Sequence, residues 1–294
     1  MKETVTPIAA QQSNDAAQQL WNSKAVGSDR AKGAEKGSEA YFDRIRSYRY
    51  GYETPFIPTT FDFASLSGKR VLEIGVGNGI DAVEMMKNGA TYTGLDVTEN
   101  HLSLTQRHAE LQNLSSEVEA LIHGDLLSTE LNGQFDVVYS FGVLHHIAHE
   151  QEYLRKIQTL LKPKGELRIA VYSKYSFFNV YLLATWVLRN RMKNSFDDWR
   201  SHVAEHSVLG SPVTIKIRSK SEVELSLVTS GFVIDRYEKH GFVQNYLPII
   251  GKHLAPNGMT LRALGNVLGW YHCFICSPLL LDHRHNSVPP ETPD

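Results

Sequence analysis

Three stretches with different hydrophobic patterns follow one another along the chain. Residues 1–38 are polar and small, and glycines interrupt any helical period, so we predict a flexible N-terminal arm. From residue 70 to about 171, short apolar runs alternate with stretches of helical period. Residues 172–210 keep a helical period and carry many aromatic side chains. The middle stretch is typical of βαβ units and a parallel sheet.

The middle stretch predicts strands at 71–74, 91–95, 121–122, 135–140 and 166–171, and helices at 80–87, 100–114 and 150–161. After the aromatic stretch, residues 222–229 predict a helix, and 232–237 and 269–276 predict two further strands. Before the sheet, a helical pattern over residues 39–50 leads through Pro55 and Pro58 into a connector. We therefore predict an α/β fold: a Rossmann-like, seven-stranded, mostly parallel sheet with helices on both faces, an N-terminal helical arm and a helical cap insertion. Right-handed crossovers place the carboxyl ends of such strands at one edge, where ligands bind.

The same pattern divides the chain into regions. After the arm, one domain spans residues 39–281, with its core at 68–172, the cap insertion at 173–215 and the completion of the sheet at 216–281. Residues 282–294 contain two consecutive prolines and predict a disordered tail.

A glycine cluster stands at the end of the first predicted strand. Residues 71–79 read VLEIGVGNG, so the strand runs through Gly75, Gly77 and Gly79 into a helix. A turn this tight favours residues without a Cβ, and the helix beyond it offers unpaired N–H groups to a ligand. Alone, the cluster is equally consistent with an ordinary turn between strand and helix. Its G-x-G-x-G spacing differs from the G-x-G-x-x-G of dinucleotide-binding enzymes.

Acidic residues close the next two predicted strands. Asp96 lies 21 residues after Gly75, near the offset of roughly 20 residues at which a carboxylate meets ribose hydroxyls. Asp125 closes the third strand. Either residue could instead cap a helix, but two such residues in order favour a binding site.

Five motifs in order resemble the class I S-adenosylmethionine-dependent methyltransferases. They are EIGVGNG at 73–79, GLD at 94–96, GD at 124–125, FDVVYS at 135–140 with VLHH at 143–146, and LLKPKG at 160–165. The resemblance covers residues 68–172. It is particularly similar to the small-molecule group that includes the ubiquinone and menaquinone biosynthesis methyltransferases. The chain departs from that group at Lys164, where glycine is usual, at the far end of the sheet.

The resemblance implies S-adenosylmethionine as the cofactor and S-adenosylhomocysteine as its product. Gly75, Gly77 and Gly79 would line the methionine and ribose parts, and Glu73 would order the loop from its base. Asp96 would accept hydrogen bonds from the ribose hydroxyls. The other implied contacts are Asp125 with the adenine amino group, Leu126 with the ring face, and Ser140 and Phe141 with the methionyl part.

The acceptor side is predicted from chemistry. A phenol or hydroxyl acceptor needs a base, and His145 and His146 follow the fourth strand at the ligand-binding edge, where an imidazole suits that task. Alternatively, either histidine begins a helix and bonds to backbone groups. We expect the aromatic cap to hold the acceptor, unless it packs on the sheet or forms a dimer contact. The residues assigned to acceptor binding are Tyr50, Phe178, Tyr181 and Trp186.

The charge is unevenly distributed. Thirty Lys and Arg against 32 Asp and Glu give a net charge of -2, which argues against a uniformly basic surface that coats nucleic acid. Residues 70–167 carry seven basic and fourteen acidic side chains, a balance of -7, whereas residues 168–220 carry nine and three, a balance of +6. Cys273 and Cys276 lack a second pair to complete a zinc site, and we predict no metal.

These observations predict a methyltransferase that transfers the cofactor's methyl group to a small, partly apolar acceptor, aromatic, quinone-like or isoprenoid, at oxygen or carbon. Two alternatives stay open: an RNA or other macromolecule methyltransferase that uses the basic aromatic segment 168–220, and a non-catalytic cofactor-binding protein. We expect no nucleic-acid partner, since no binding module is added, and no membrane-spanning segment, although a basic amphipathic helix could rest on an anionic membrane. A homodimer or larger homo-oligomer is compatible with the cap. The N-terminus has no secretory pattern, so we expect a cytoplasmic protein.

Overall fold

The computed structural model describes residues 18–247, 249–256 and 258–279. Within these residues, seven strands form one sheet in the order β3-β2-β1-β4-β5-β7-β6, and β7 runs antiparallel to both of its neighbours. The strands are β1 Arg70–Ile74, β2 Thr91–Asp96, β3 Val118–His123, β4 Phe135–Phe141, β5 Leu161–Tyr172, β6 Phe232–His240 and β7 Tyr271–Pro278. This topology confirms the predicted fold class. The predicted disordered tail, 282–294, lies outside the described residues.

Helices cover both faces of the sheet and its ligand-binding edge. The α-helices are α1 Glu39–Tyr48, α2 Ile57–Thr60, α3 Ile80–Lys87, α4 Glu99–Leu111, α5 Glu150–Leu160, α6 Phe177–Leu188, α7 Phe196–Glu205, α8 Lys220–Thr229 and α9 Met259–Leu268. A π-helical turn, Arg49–Glu53, extends α1. Of these, α2, α9 and the π-helical turn were not predicted from the sequence.

The sheet is buried on both faces because successive side chains of a strand point to opposite sides. Val71 of β1 packs in a cluster with α3 and the connector before the sheet, whereas Leu72 and Ile74 pack in a second cluster with α5 and α8. Strands buried in this way read as continuous apolar runs, as the sequence does here.

The connector before β1 is more ordered than its prolines suggest. It contains α2 and a 3₁₀ turn, Phe63–Leu66, and Ile57, Phe61 and Phe63 are fully buried under the sheet. The guanidinium of Arg168 on β5 donates to the carbonyl oxygens of Phe61 and Asp62. The connector is therefore part of the core.

Residues 18–38 pack against the domain, which differs from the flexible arm that the sequence predicts for 1–38. Residues 18–23 are helical, and Ala25 and Ala31 join a buried cluster with α1 and α4. Gln18 Nε2 donates to the carbonyl oxygen of Val97 at 2.7 Å, and Asn78 Nδ2 donates to that of Val26. The small residues of this segment let it approach the domain closely. The hydrophobic period of the sequence does not reveal such packing. Residues 1–17 lie outside the described part of the chain.

Candidate cofactor and acceptor site

The carboxyl ends of β1, β2, β3 and β4 border one cavity of about 880 Å³. Residues 18–38 and the cap helices α6 and α7 close it from the outside. Its volume lies in the upper part of the range of roughly 300–1,000 Å³ that is usual for ligand pockets. The cavity can therefore hold a large cofactor with a small acceptor beside it.

The glycine loop between β1 and α3 forms the floor of one end. A Cβ on Gly77, whose φ is 54°, would meet no atom within 4 Å, so this position opens into the cavity and lets a ligand approach the backbone. Gly75 also borders the cavity, but a Cβ there would meet the Val143 side chain. Gly79 does not border it: a Cβ there would lie 2.8 Å from the backbone of Thr105. The structure thus gives Gly79 a packing role between α3 and α4 and assigns it no ligand contact.

Asp96 ends β2 beside this loop. Its Oδ1 accepts hydrogen bonds from Thr98 N at 2.9 Å and Thr98 Oγ1 at 2.8 Å, and its Oδ2 lies 3.2 Å from His101 Nδ1. Burial opposes ionisation of Asp96, but the hydrogen bond and charge of His101 and the bonds from Thr98 outweigh it, so its pKa lies below the usual range. The cavity therefore presents an ionised, positioned carboxylate that fits ribose hydroxyls.

Two further buried acids lie beneath the loop and respond oppositely to burial. Asp81, on α3, receives hydrogen bonds from Arg49, Tyr50 and Tyr139. Burial opposes its ionisation, yet the charge and hydrogen bonds of Arg49 lower its pKa. Glu73 accepts one hydrogen bond from the described residues, from Tyr92 Oη at 2.5 Å, and burial together with the charge of Asp81 raises its pKa well above the usual range.

This contrast predicts how stability depends on pH. The folded pKa of Glu73 is raised, so the folded state binds more protons and wild-type stability falls as pH rises from about 4.5 towards that folded pKa. Glu73→Gln removes the titration and keeps an oxygen for Tyr92 to donate to. We expect the free energy of unfolding of Glu73→Gln, minus that of the wild type, to increase by about 1 kcal/mol or more from pH 5 to pH 8. Urea titrations of the cofactor-free protein measure this, and a difference independent of pH would contradict the raised pKa.

The other predicted cofactor residues divide between the cavity and the core. Asp125, Leu126 and Phe141 border the cavity, and Asp125 Oδ1 also accepts from Leu127 N at 2.8 Å. Asp125 therefore caps a turn, and its second carboxylate oxygen accepts no hydrogen bond from a described residue. Ser140 is fully buried, with its Oγ 3.3 Å from the Ile74 carbonyl oxygen, and does not border the cavity.

The structure separates the two adjacent histidines. His146 borders the cavity, and its Nδ1 lies 2.7 Å from the Thr214 carbonyl oxygen. A carbonyl only accepts, so Nδ1 carries a proton, and Nε2 makes no hydrogen bond to a described residue. His145 is fully buried, stacks on Tyr172 at 3.7 Å between ring centroids, and has neither nitrogen hydrogen-bonded within the described residues. Burial, with the charges of His146 and Arg218, holds the pKa of His145 well below its usual range.

Two of the four residues predicted for the acceptor border the cavity. Phe178 and Tyr181, on α6, do so. Tyr50 points instead to Asp81, to which its Oη donates at 2.6 Å. Trp186 packs on Phe196 inside the cap, and its Nε1 donates to the Asn194 carbonyl oxygen at 2.9 Å. Tyr50 and Trp186 therefore pack behind the residues that border the cavity.

Sequence reasoning missed several residues that border the cavity. Trp21 comes from the segment predicted to be flexible, and Glu205 comes from the end of α7, where nothing local marks it. The signal available for Arg49 was its place directly after the aromatic helix α1. The remaining missed residues at the acceptor side are Glu53, Tyr172, Tyr246, Trp270 and Tyr271.

Across the described residues, no helix combines the length and the apolar character that a bilayer crossing requires.

A sheet of this order, with a glycine loop after β1, a carboxylate at the end of β2 and one cavity over both, defines a class I S-adenosylmethionine-dependent methyltransferase domain. The chain belongs to the family described as methyltransferase domain, whose model matches residues 42–216.

Similar proteins of known name are ubiquinone biosynthesis O-methyltransferases. The chain is 30% identical to that of Acinetobacter baumannii (strain ACICU) over 156 residues, which is 51% of this chain and 66% of that protein. It is 29% identical to that of Neisseria meningitidis serogroup C over 191 residues, 60% of this chain and 79% of that protein. The match to the first relative thus spans slightly less than two thirds of its length.

Solved structures share the fold at low identity. A magnesium protoporphyrin IX methyltransferase from Synechocystis PCC 6803, with bound SAH, superposes with a TM-score of 0.58 at 14% identity, covering 90% of this chain and 99% of that one. The [4+2]-cyclase SpnF superposes with a TM-score of 0.53 at 17% identity, covering 92% and 95%. Since one of these proteins is a cyclase, the fold alone does not fix the reaction.

Proposed function

We propose that this protein transfers the methyl group of S-adenosylmethionine to a small, partly apolar acceptor at oxygen or carbon. The observation that carries the proposal is the single cavity, which joins the glycine loop and Asp96 at one end to aromatic rings and His146 at the other. When bound, the cofactor supplies an activated methyl group on a sulfonium. The chain's own task is then to hold both partners in line and to exclude water.

The residues available at the first end fit the cofactor. Gly77 leaves its backbone open, Asp96 offers a carboxylate, and Asp125 keeps one free carboxylate oxygen beside Leu126. Arg49 also borders the cavity while bound to Asp81. These groups would hold the ribose, the adenine and the charged methionine end.

His146 is the group best placed to take a proton from a hydroxyl acceptor. Its free Nε2 lies 4.0 Å from Glu205 Oε1, and Tyr172 Oη donates to the same carboxylate oxygen at 2.8 Å. Tyr172 thereby fixes the Glu205 carboxylate beside the imidazole that would take up the proton. His145, sealed in the core, supports His146 by packing.

The distribution of basic side chains supports a small acceptor over RNA. Arg168 is buried, Arg218 pairs with Glu150, and Lys216 Nζ donates to the carbonyl oxygens of Ile147 and Ala148. These cations of the +6 segment serve the fold, so the basic surface available to a phosphate backbone is smaller than the sequence suggests.

Calorimetry with S-adenosylhomocysteine tests the cofactor assignment. We expect binding in the micromolar range, and we expect Asp96→Asn to weaken it by about 10- to 100-fold, because hydrogen bonds to a charged group contribute roughly 1.5–3 kcal/mol. Asp136→Asn is the matched control, since Asp136 is bonded to Arg70 N and Lys162 at the opposite edge of the sheet. Absence of binding by the wild type, or equal affinity of the two variants, would refute the assignment.

A further inference from the structure

The acceptor end of the cavity has a continuous wall of aromatic rings, which we call the aromatic wall. Tyr172 stacks on Trp270 at 4.4 Å between centroids, and Trp270 meets Phe178 edge to face at 4.8 Å. Tyr271 lies 5.7 Å from Tyr172, and all four residues border the cavity. Such rings offer negative π-faces as well as apolar area.

Two carboxylates, Glu53 and Glu205, face the same space. Glu205 accepts from Tyr172 Oη, and its nearest basic group is His146 at 4.0 Å. Glu53 accepts no hydrogen bond from any described residue, and within the described chain neither carboxylate has a Lys or Arg within 4.0 Å. Burial raises the pKa of Glu53; the charges of Arg49 and Arg30 act in the opposite sense, and the charge of Glu205 adds a smaller rise.

The nearby cations are already engaged elsewhere. Arg49 forms its ion pair with Asp81, and the guanidinium of Arg30 lies over the ring of Tyr48 at 4.1 Å. Both therefore moderate the charge of Glu53 from a distance without occupying the space beside it.

The acids at the cofactor end differ from this pair. Asp81 and Asp96 receive several hydrogen bonds each from the chain, whereas Glu205 receives one, from Tyr172, and Glu53 receives none from a described residue. A desolvated acid that receives one hydrogen bond or none is costly in a site that closes, and a cationic ligand offsets that cost. A neutral phenol or alkene would leave the Glu53 carboxylate without a partner, and would leave Glu205 with the Tyr172 hydroxyl and His146 alone.

We propose that the acceptor carries a protonated amino group, which binds between Glu205 and Glu53 against the aromatic wall. The proposal rests on the proposed function and narrows its acceptor class to apolar amines. The carboxylates supply charge-assisted hydrogen bonds, and the rings supply cation–π contact and bury the apolar body. The amino group is the recognition handle, independent of which atom receives the methyl group.

Ligand-observed NMR on the full chain saturated with S-adenosylhomocysteine tests this, after calorimetry has established that binding. The probes are phenethylamine, tryptamine and cyclohexylmethylamine, each beside its alcohol isostere. The variants are Glu205→Gln and Glu53→Gln, with Glu152→Gln as control, since Glu152 is an exposed acid on α5. Circular dichroism melts verify that each variant is folded.

We expect the wild type to bind at least one amine about tenfold more tightly than its alcohol, and Glu205→Gln to remove most of that preference while the alcohol's affinity stays within twofold. Glu152→Gln should behave as wild type. Equal binding of amines and alcohols, binding of no amine, or an amine preference that survives both cavity variants would each overturn the proposal. If S-adenosylhomocysteine itself does not bind, the proposed function fails first, so the two failures are distinguishable.

Discussion

Replacing Arg168 with alanine is expected to lower the free energy of unfolding by about 3–5 kcal/mol, because removing one partner of a buried charged network leaves the others unpaired. The Arg168 side chain is 2% exposed. It donates to the carbonyl oxygens of Phe61 and Asp62, to Ser65 Oγ at 3.1 Å and to Glu166 Oε2 at 2.7 Å. Without it, the buried Phe61 carbonyl oxygen loses its donor among the described residues, whereas the Asp62 carbonyl oxygen keeps the bonds from Ser65 N and Oγ.

Urea unfolding monitored by circular dichroism measures this loss. Arg155→Ala is the matched control, because Arg155 is exposed on α5, and we expect it to change stability by less than about 0.5 kcal/mol. Arg168→Met keeps much of the volume and should recover only part of the loss, since the Phe61 carbonyl oxygen still lacks its donor. If Arg168→Ala and Arg155→Ala unfold alike, the network does not hold the connector to the sheet.

Arg168 also shows that a count of charges in the sequence does not predict which charges lie on the surface. The sequence counts it among nine basic residues of a +6 segment, and that count suggested a surface for anions. In the fold, β5 places Arg168 in the core opposite the connector, more than 100 residues away in the chain. A charge count includes every charged side chain, whether the fold buries it or exposes it. Contacts between distant parts of the chain decide which of them are buried.

The cofactor half could be predicted because its signals are local. The glycine loop, Asp96 and Asp125 each follow a strand directly, and the parallel order of the strands brings their ends together. Gly79 and Ser140 could not be separated from the cavity residues in this way. Their neighbours, Thr105 and Ile74, determine that they face the core.

The acceptor half required contacts that no local pattern encodes. Trp21 lies 5.0 Å from the ring of His146 although 125 positions separate them, and Glu205 reaches Tyr172 only because α7 folds back over β5. The sequence could mark the cap as aromatic, yet Trp186 turned inward and Phe178 faced the cavity. The helical period predicts which residues share a face of a helix, but it does not predict which element that face packs against.

The two adjacent histidines also differ in ways that the sequence does not reveal. Adjacent in sequence on one 3₁₀ turn, Leu144–His146, they were equal candidates for a base. His146→Gln is expected to lower kcat by about 100-fold or more on a hydroxyl acceptor, since general acid–base catalysis contributes roughly 10²–10⁴-fold. Its affinity for S-adenosylhomocysteine should stay within about twofold, because His146 is assigned to the acceptor end.

The measurement is transfer of a tritiated methyl group from S-adenosylmethionine to an acceptor found by screening phenols and amino alcohols. His145→Leu is the paired variant: it keeps an apolar body against Tyr172 and removes two buried nitrogens that have no hydrogen-bond partner among the described residues. We expect it to keep kcat within a few-fold and to match or exceed the wild type in stability. Full turnover by His146→Gln with unchanged cofactor affinity would show that His146 is not the base. Methylation at a carbon atom, which needs no base, would then be favoured. Equal loss in both variants would instead show that the turn as a whole positions the acceptor, because only His146 has a free nitrogen in the cavity with which to take a proton.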